Sequence, residues 1–448
     1  MSSATLKKKA LSGTIWTIVG YGFSQSLRLG SNLILTRLLV PELFGLMALV
    51  NVFIIGLALF SDIGIDPSII RSKRGDDPVF LNTAWTIQIV RGFGLWLGCI
   101  AIAFPVAQFY DEPRFLWLIP IVGFNTIISG FNSTSLASLS RHMEIGKLTL
   151  LELAVEIVSL VTIVVWALFR PTIWALVGGT VVSSCCELWL SHRLNPGESN
   201  RLTWNKEVVK EIVSFGKWIF LSTAVTFLAS QADRLILGKL FSLSMLGVYT
   251  IAFNFANLPR QIVQQLSNKI IFPVIAQYAE LPRKSLRARI IEKRRLILIG
   301  QALLVTVMVS FGDLLIINLY DERFIEAAWI LPLLSLGLWP LILSLTSDKA
   351  LFVLGNPRYV AYGNILKFVY MSIALPYGFS KIGVLGAVIV IAMNDIPFYA
   401  SVSYGLWQEK LDTISQDIQA TLMLLGLIAV FEGGRYYLGW GLSISGIL

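Results

Sequence analysis

Charge is scarce in this sequence, and so are the residues that carry most enzyme chemistry. Only 14% of its 448 residues are Asp, Glu, Lys or Arg, while 55% are hydrophobic and the mean hydropathy is +0.72. That balance excludes an ordinary soluble enzyme and points to a chain whose main solvent is lipid. There are two histidines, His142 and His192, far apart in sequence, so metal-centred and histidine-based catalysis have little to work with. The three cysteines, Cys99, Cys185 and Cys186, all lie in apolar segments, which reads as packing and not as a disulfide framework. Ten-residue alternating strands are missing, which excludes a closed barrel and leaves helices as the spanning element. No phosphate-binding Gly-rich loop is present: GFGLWLG (92–98) lacks a strand-turn-helix context and reads as small residues for helix packing. No cofactor site is therefore expected.

What is abundant is apolar sequence in segments of spanning length. Candidate spans lie at 11–35, 41–65, 80–108, 114–138, 147–168, 171–192, 213–237, 244–275, 295–318, 326–348, 358–378, 383–406 and 416–432, with a short fourteenth from 436. The basic N-terminus reads as the start of a retained first helix, because the apolar segment after it is too long for a signal peptide and has no small-residue cleavage site. Alternating the loops gathers Lys7, Lys8, Lys9, Arg71, Lys73, Arg74, Arg141, Lys147 and the run RKSLRARIIEKRR (283–295) on one side. The opposite side holds Arg114, Arg170, Arg323, Arg435 and few others, an excess of roughly three to one that marks the first side as cytoplasmic. Most of the net charge of +9 is thus topology signal and headgroup contact, not a nucleic-acid site. Short external loops leave no large extracytoplasmic catalytic domain.

Segments repeat. FYDEPRF (109–115) is echoed by LYDERF (319–324), and TRLLVPELFGLMAL (36–49) by GKLFSLSMLGVYTI (238–251), each pair offset by about two hundred residues. The expected fold is an all-α polytopic membrane protein with two six-helix lobes, 1–200 and 201–412, related by a pseudo-two-fold along the membrane normal. Additional C-terminal helices occupy 413–448.

Ionisable and amide residues inside spans are costly and mark candidate sites. In the first span Thr17, Tyr21, Ser24, Gln25, Arg28, Ser31 and Asn32 recur at three- and four-residue steps on one helical face. In the eighth, Asn257, Arg260, Gln264, Ser267 and Asn268 form a second stripe, with Pro259 as a kink. Arg91 and Lys367 fall about half-way through the third and eleventh spans. Intramembrane acids are Asp62 and Asp66 (the candidates for ion coupling), Glu152, Glu156, Glu187, Asp233 and Asp395. Each cation has two readings, internal ion pairing or a ligand site. The stripes of Arg28 and Arg260 contain no acid one turn away, which favours the ligand reading, and guanidinium suits a phosphate or pyrophosphate. Asn132-Ser-Thr matches a glycosylation pattern but falls inside a span.

These segments carry a resemblance. SGTIW, LTRLLVPELFGLMALV, LFSDIGIDPSII, LNTAWTIQIVRG, DRLILGKLFSLSMLGVYTIAF and NLPRQIVQQLSNKIIFPVIAQ resemble the oligosaccharide flippases of the polysaccharide transporter family. Their superfamily also holds multidrug antiporters and lipid II flippases. The resemblance implies alternating access and a polyprenyl-pyrophosphate-linked oligosaccharide as cargo. It also implies membrane lipids and other polysaccharide assembly proteins as partners, and no nucleic acid. It implies that Arg28 and Arg260 stand in spans where similar flippases place cationic cavity residues. The rival readings are a cation-coupled drug exporter, which calls for an acidic and aromatic cavity, and a membrane polysaccharide polymerase or ligase, which calls for arginines on external loops.

Overall fold

The computed structural model describes residues 3–61, 64–194, 200–278 and 280–443. Helix is the only regular structure among them. The chain divides into two compact units, Met1–Ala224 and Val225–Leu448. The division falls inside a helix, whereas the sequence reading drew its first boundary at 200.

In the first unit the helices are α1 (Ser3–Leu38), α2 (Pro41–Phe60), α3 (Ile65–Arg71), α4 (Pro78–Tyr110), α5 (Phe115–Gly123), α6 (Asn125–Gly130), α7 (Ser135–Arg141), α8 (Ile145–Phe169) and α9 (Ile173–Arg193). Helix α10 (Lys206–Leu240) crosses into the second unit, followed by α11 (Leu243–Ala256), α12 (Leu258–Leu266), a π-helical turn at Ser267–Ile271 and α13 (Phe272–Gln277). Then come α14 (Arg283–Leu319), α15 (Ala327–Gly337), α16 (Trp339–Leu345), α17 (Lys349–Val353), α18 (Arg358–Ala392), α19 (Ile396–Gln408) and α20 (Ile414–Tyr437). Eight of these helical stretches are long and apolar enough to cross a membrane unaided, and a ninth passes as a pair bent by 61°. Most of the expected spans fall on helical stretches, whereas the one at 41–65 runs past the end of α2 at Phe60. Several are broken by Pro, Gly or a polar turn, which is tolerated in lipid only where the freed backbone groups find partners. Gly383 shows why one boundary was legible: at φ +63° it takes a conformation that other residues avoid, and it kinks α18 between the two spans expected at 358–378 and 383–406.

The repeated motifs fold alike. After α4, Arg114 folds back on Glu112 at 2.8 Å and reaches Glu42 on α2. Its guanidinium holds the Glu112 carboxyl below its ordinary range. After α14, Arg323 pairs in the same way with Asp321. An acid two residues before the arginine clamps the turn into the next helix in both halves.

Two corrections concern the basic residues. Arg294, at the end of the run assigned to a cytoplasmic loop, is fully buried in α14. Its guanidinium reaches Asp417 at 2.7 Å, Thr346 Oγ1 at 2.9 Å, the Leu343 carbonyl at 3.0 Å and Gln416 Oε1 at 3.1 Å. Arg435, assigned to an external loop, is likewise buried, in a two-pronged pair with Asp313 and in contact with the Ser310 carbonyl. These pairs fasten α20 along α14 within the second unit, so the C-terminal helix is integral to it. Nearer the loop, Arg283–Glu409 and Arg287–Asp412 continue the seam at the start of α20.

Breaking a buried pair by removing one partner strands the other charge, at about 3–5 kcal/mol. Arg294→Met should therefore lower the thermal unfolding midpoint of the purified protein sharply, and adding Asp417→Leu should restore most of it. A single variant that melts like the wild type would show that the pair does not hold α20.

Candidate functional site

The first unit contains a cavity of about 500 Å³ lined by α2, α3, α4, the broken span α5–α7 and α9. Local sequence explains why it exists. Gly123 and Gly130 bracket α6, and the chain leaves helix at 131–134 before resuming in α7. Gly92 of α4 is needed beside it: a Cβ there would lie 2.6 Å from the Thr126 carbonyl and 3.2 Å from the Gly130 Cα. Thr126 also donates its hydroxyl to the Gly92 carbonyl at 3.0 Å, so part of the expected packing role of GFGLWLG is real. The carbonyls freed by the break are met from neighbouring helices. Trp85 Nε1 lies 3.2 Å and a His192 ring nitrogen 2.9 Å from the Phe131 carbonyl, while Gln88 donates to those of Ser129 and Asn132. His192 therefore has a structural contact, in keeping with the absence of a catalytic assignment.

The cavity wall carries Gln88, Arg91, Asn125, Thr126, Ser129, Asn132, Ser133, Asp66 and Glu187. Arg91 donates Nε to Ser61 at 3.0 Å and a terminal nitrogen to the Ala58 carbonyl at 2.8 Å, which fixes its guanidinium without an ion pair among the described residues. Asp66 sits in the first turn of α3 on the same wall. Asp62, its companion in the sequence reading, lies outside the described residues.

Arg28 is 65% exposed on α1 and pairs through Nε with Glu156 of α8 at 2.6 Å, while Ser24 donates to the other Glu156 oxygen. The stripe is real, but its cation is compensated by an acid from another helix that no one-turn rule within α1 could find. Gln25 bonds Tyr21 on the same face, and Asn32 follows, half-buried.

In the second unit Asn257, Arg260 and Lys367 share a pocket with Asp233, Asn394 and Asp395. Pro259 ends one helix and starts the next at this point, as expected from the kink. Lys367 is buried and bonds Asp395 at 2.5 Å, the geometry of the ion-pairing alternative. Two cations thus face two carboxylates, in a volume of about 30 Å³, room for about one water. Gln264 lies farther along α12, exposed and outside the pocket lining.

The sequence reading missed the amide and hydroxyl wall of the first cavity. The signal was there: Asn125, Thr126, Ser129, Asn132 and Ser133 recur at helical spacing around Gly130.

A helical bundle with polar, broken spans around internal pockets is an architecture that membrane transporters use. Comparison with known proteins makes this specific: residues 34–328 match the family of polysaccharide biosynthesis proteins, and the chain belongs to that family. The lipopolysaccharide biosynthesis protein WzxC of Escherichia coli (strain K12) is 23% identical over 61% of this chain and 56% of its own length. The succinoglycan biosynthesis transport protein ExoT of Rhizobium meliloti (strain 1021) is 22% identical over 58% and 53%. The chain therefore spans about half the length of the curated relatives it matches. In fold it is similar to the inward closed conformation of the lipid II flippase MurJ, with TM-score 0.69 at 13% identity over 93% of this chain and 92% of that one. An inward-facing multidrug resistance transporter of the MATE family matches at TM-score 0.65, 15% identity, 90% and 95%.

The two assigned ion pairs should behave differently on mutation. An exposed pair contributes at most about 1 kcal/mol, so Arg28→Ala should leave the unfolding midpoint nearly unchanged. Lys367→Met strands Asp395 and should cost about 3–5 kcal/mol. Equal destabilisation by both, measured by thermal denaturation in one detergent, would contradict these environments.

Proposed function

We propose that this protein is a flippase that moves a polyprenyl-pyrophosphate-linked oligosaccharide from the cytoplasmic to the outer leaflet by alternating access, for surface polysaccharide export. It acts in the plasma (inner) membrane with its N-terminus cytoplasmic, on the basis of the positive-inside count. The observation that carries the reading is membership of a polysaccharide biosynthesis family by a chain whose fold is that of a lipid II flippase and whose polar chemistry lies within its helical spans. The same placement speaks against an enzyme: polymerisation or ligation would need reacting groups where the glycan emerges, and the external arginines Arg114 and Arg323 are occupied as turn clamps.

Arg28 is the residue best suited to meet the pyrophosphate. Its ion pair uses Nε, and the other guanidinium donors have the fork geometry that binds phosphate oxygens in pairs. A charge this exposed at membrane depth demands a hydrated or anionic neighbour, because hydrocarbon would not tolerate it. Arg260 is the second candidate, in a pocket that would have to open before it admits a headgroup. Asp66 is the candidate for coupling to a cation. The rival, a cation-coupled drug exporter, shares the fold, and family membership weighs against it.

In cells making the glycan, Arg28→Ala should abolish surface polysaccharide while the protein remains in the membrane, and Arg28→Lys should restore only part of it. Normal export by Arg28→Ala and Arg260→Ala alike would remove the headgroup assignment. Drug resistance conferred in place of glycan export would favour the rival.

A further inference from the structure

We infer that the 500 Å³ cavity of the first unit is a saccharide site, which receives sugar residues of the cargo and not its pyrophosphate. This rests on the flippase reading above and adds to it a place and a selectivity.

Three observations converge. The cavity is built around a broken span, and irregular backbone at membrane depth is tolerated where it is buried in protein or lines a water-filled cavity. Its wall is rich in planar amides and hydroxyls, from Gln88, Asn125, Thr126, Ser129, Asn132 and Ser133, the side chains that pair with sugar hydroxyls as both donor and acceptor. The Oδ1 atoms of Asn125 and Asn132 have no hydrogen-bond partner among the described residues, and Asn132 is only 7% exposed. A buried amide oxygen left unpaired is costly, and these two, shielded in this conformation, meet a ligand hydroxyl when their side chains turn into the cavity.

Charge then selects among ligands. One guanidinium, Arg91, stands against two carboxylates, Asp66 and Glu187, so the wall offers no surplus of positive charge to a pyrophosphate. Arg91 is already fixed by Ser61 and the Ala58 carbonyl, which suits it to orient hydroxyls. Size agrees, since sites for small organic ligands occupy about 300–1,000 Å³. Among the described residues the lining contains no aromatic ring, so binding there rests on hydrogen bonds.

The second half of the chain provides an internal contrast. Its equivalent span is also broken, at α15–α17, but there the guanidinium of Arg294 fills the break, taking Thr346 Oγ1 and the Leu343 carbonyl, with Asp417 and Gln416 of α20 behind it. One break is sealed by the protein's own side chains and the other opens on a polar cavity.

The test uses the protein in liposomes with two lipid probes, polyprenyl pyrophosphate without sugar and the same lipid bearing the complete oligosaccharide of the host. Asn132→Leu and Asn125→Leu keep side-chain size and remove the amides. Each should slow transfer of the oligosaccharide lipid about tenfold, the equivalent of about one hydrogen bond, and leave the sugar-free lipid unaffected. A second readout does not depend on those variants folding well. Ser129→Cys, with the three native cysteines replaced by alanine, should lose reactivity toward a charged thiosulfonate reagent when the oligosaccharide lipid is added, and keep it when sodium or polyprenyl pyrophosphate alone is added. Equal effects on both lipids, no effect on either, or protection by sodium would overturn the saccharide assignment. Wild-type protein that transfers neither lipid would instead overturn the flippase reading, so the two failures are separable.

Discussion

The constraint on which this structure depends is that hydrocarbon satisfies no polar group. Every backbone N–H, carbonyl and charge at membrane depth must be met by the protein, by water in a cavity or by cargo. Continuous helices meet that demand alone. Where the chain breaks its helices at 131–134 and at 346–348, side chains from neighbouring helices supply partners. Trp85, Gln88 and His192 do so around one break and Arg294 around another.

The same constraint sorts the cations. Arg294, Arg435 and Lys367 are buried and neutralised, and their work is to hold helices together. Arg28 and Arg91 are different: the first is paired yet exposed, and the second is fixed by neutral groups on the wall of an open cavity. Burial and pairing, more than mere presence in a span, separate architecture from candidate chemistry. On that criterion the two halves have diverged, one sealing its broken span with an internal ion pair and the other keeping a polar chamber.

Much of this was legible in the sequence. Spans, the Pro259 kink and the repeated turn motifs follow from local rules of hydropathy and backbone geometry, and the helices begin and end near the expected residues. What escaped was pairing between distant segments. Glu156 meets Arg28 from α8, and Asp417 meets Arg294 from α20, because tertiary packing brings together acids and bases separated by more than a hundred positions. The amide wall escaped for another reason: Asn132-Ser-Thr matches a modification pattern, which masks its place in a polar stripe that runs on from Asn125 past Gly130. Arg435 was misassigned because a terminal helix of marginal length looks like a loop flank until its charge is seen buried against Asp313.

The central claim is physical movement of a lipid-linked glycan without covalent change. It is tested most directly by reconstituting the purified protein in liposomes with lipid-linked oligosaccharide in one leaflet, then following exposure of the glycan on the other leaflet and its mass. The account predicts transfer well above that of empty liposomes with the mass unchanged. A glycan that grows in mass, or transfer no faster than in empty liposomes, would contradict it.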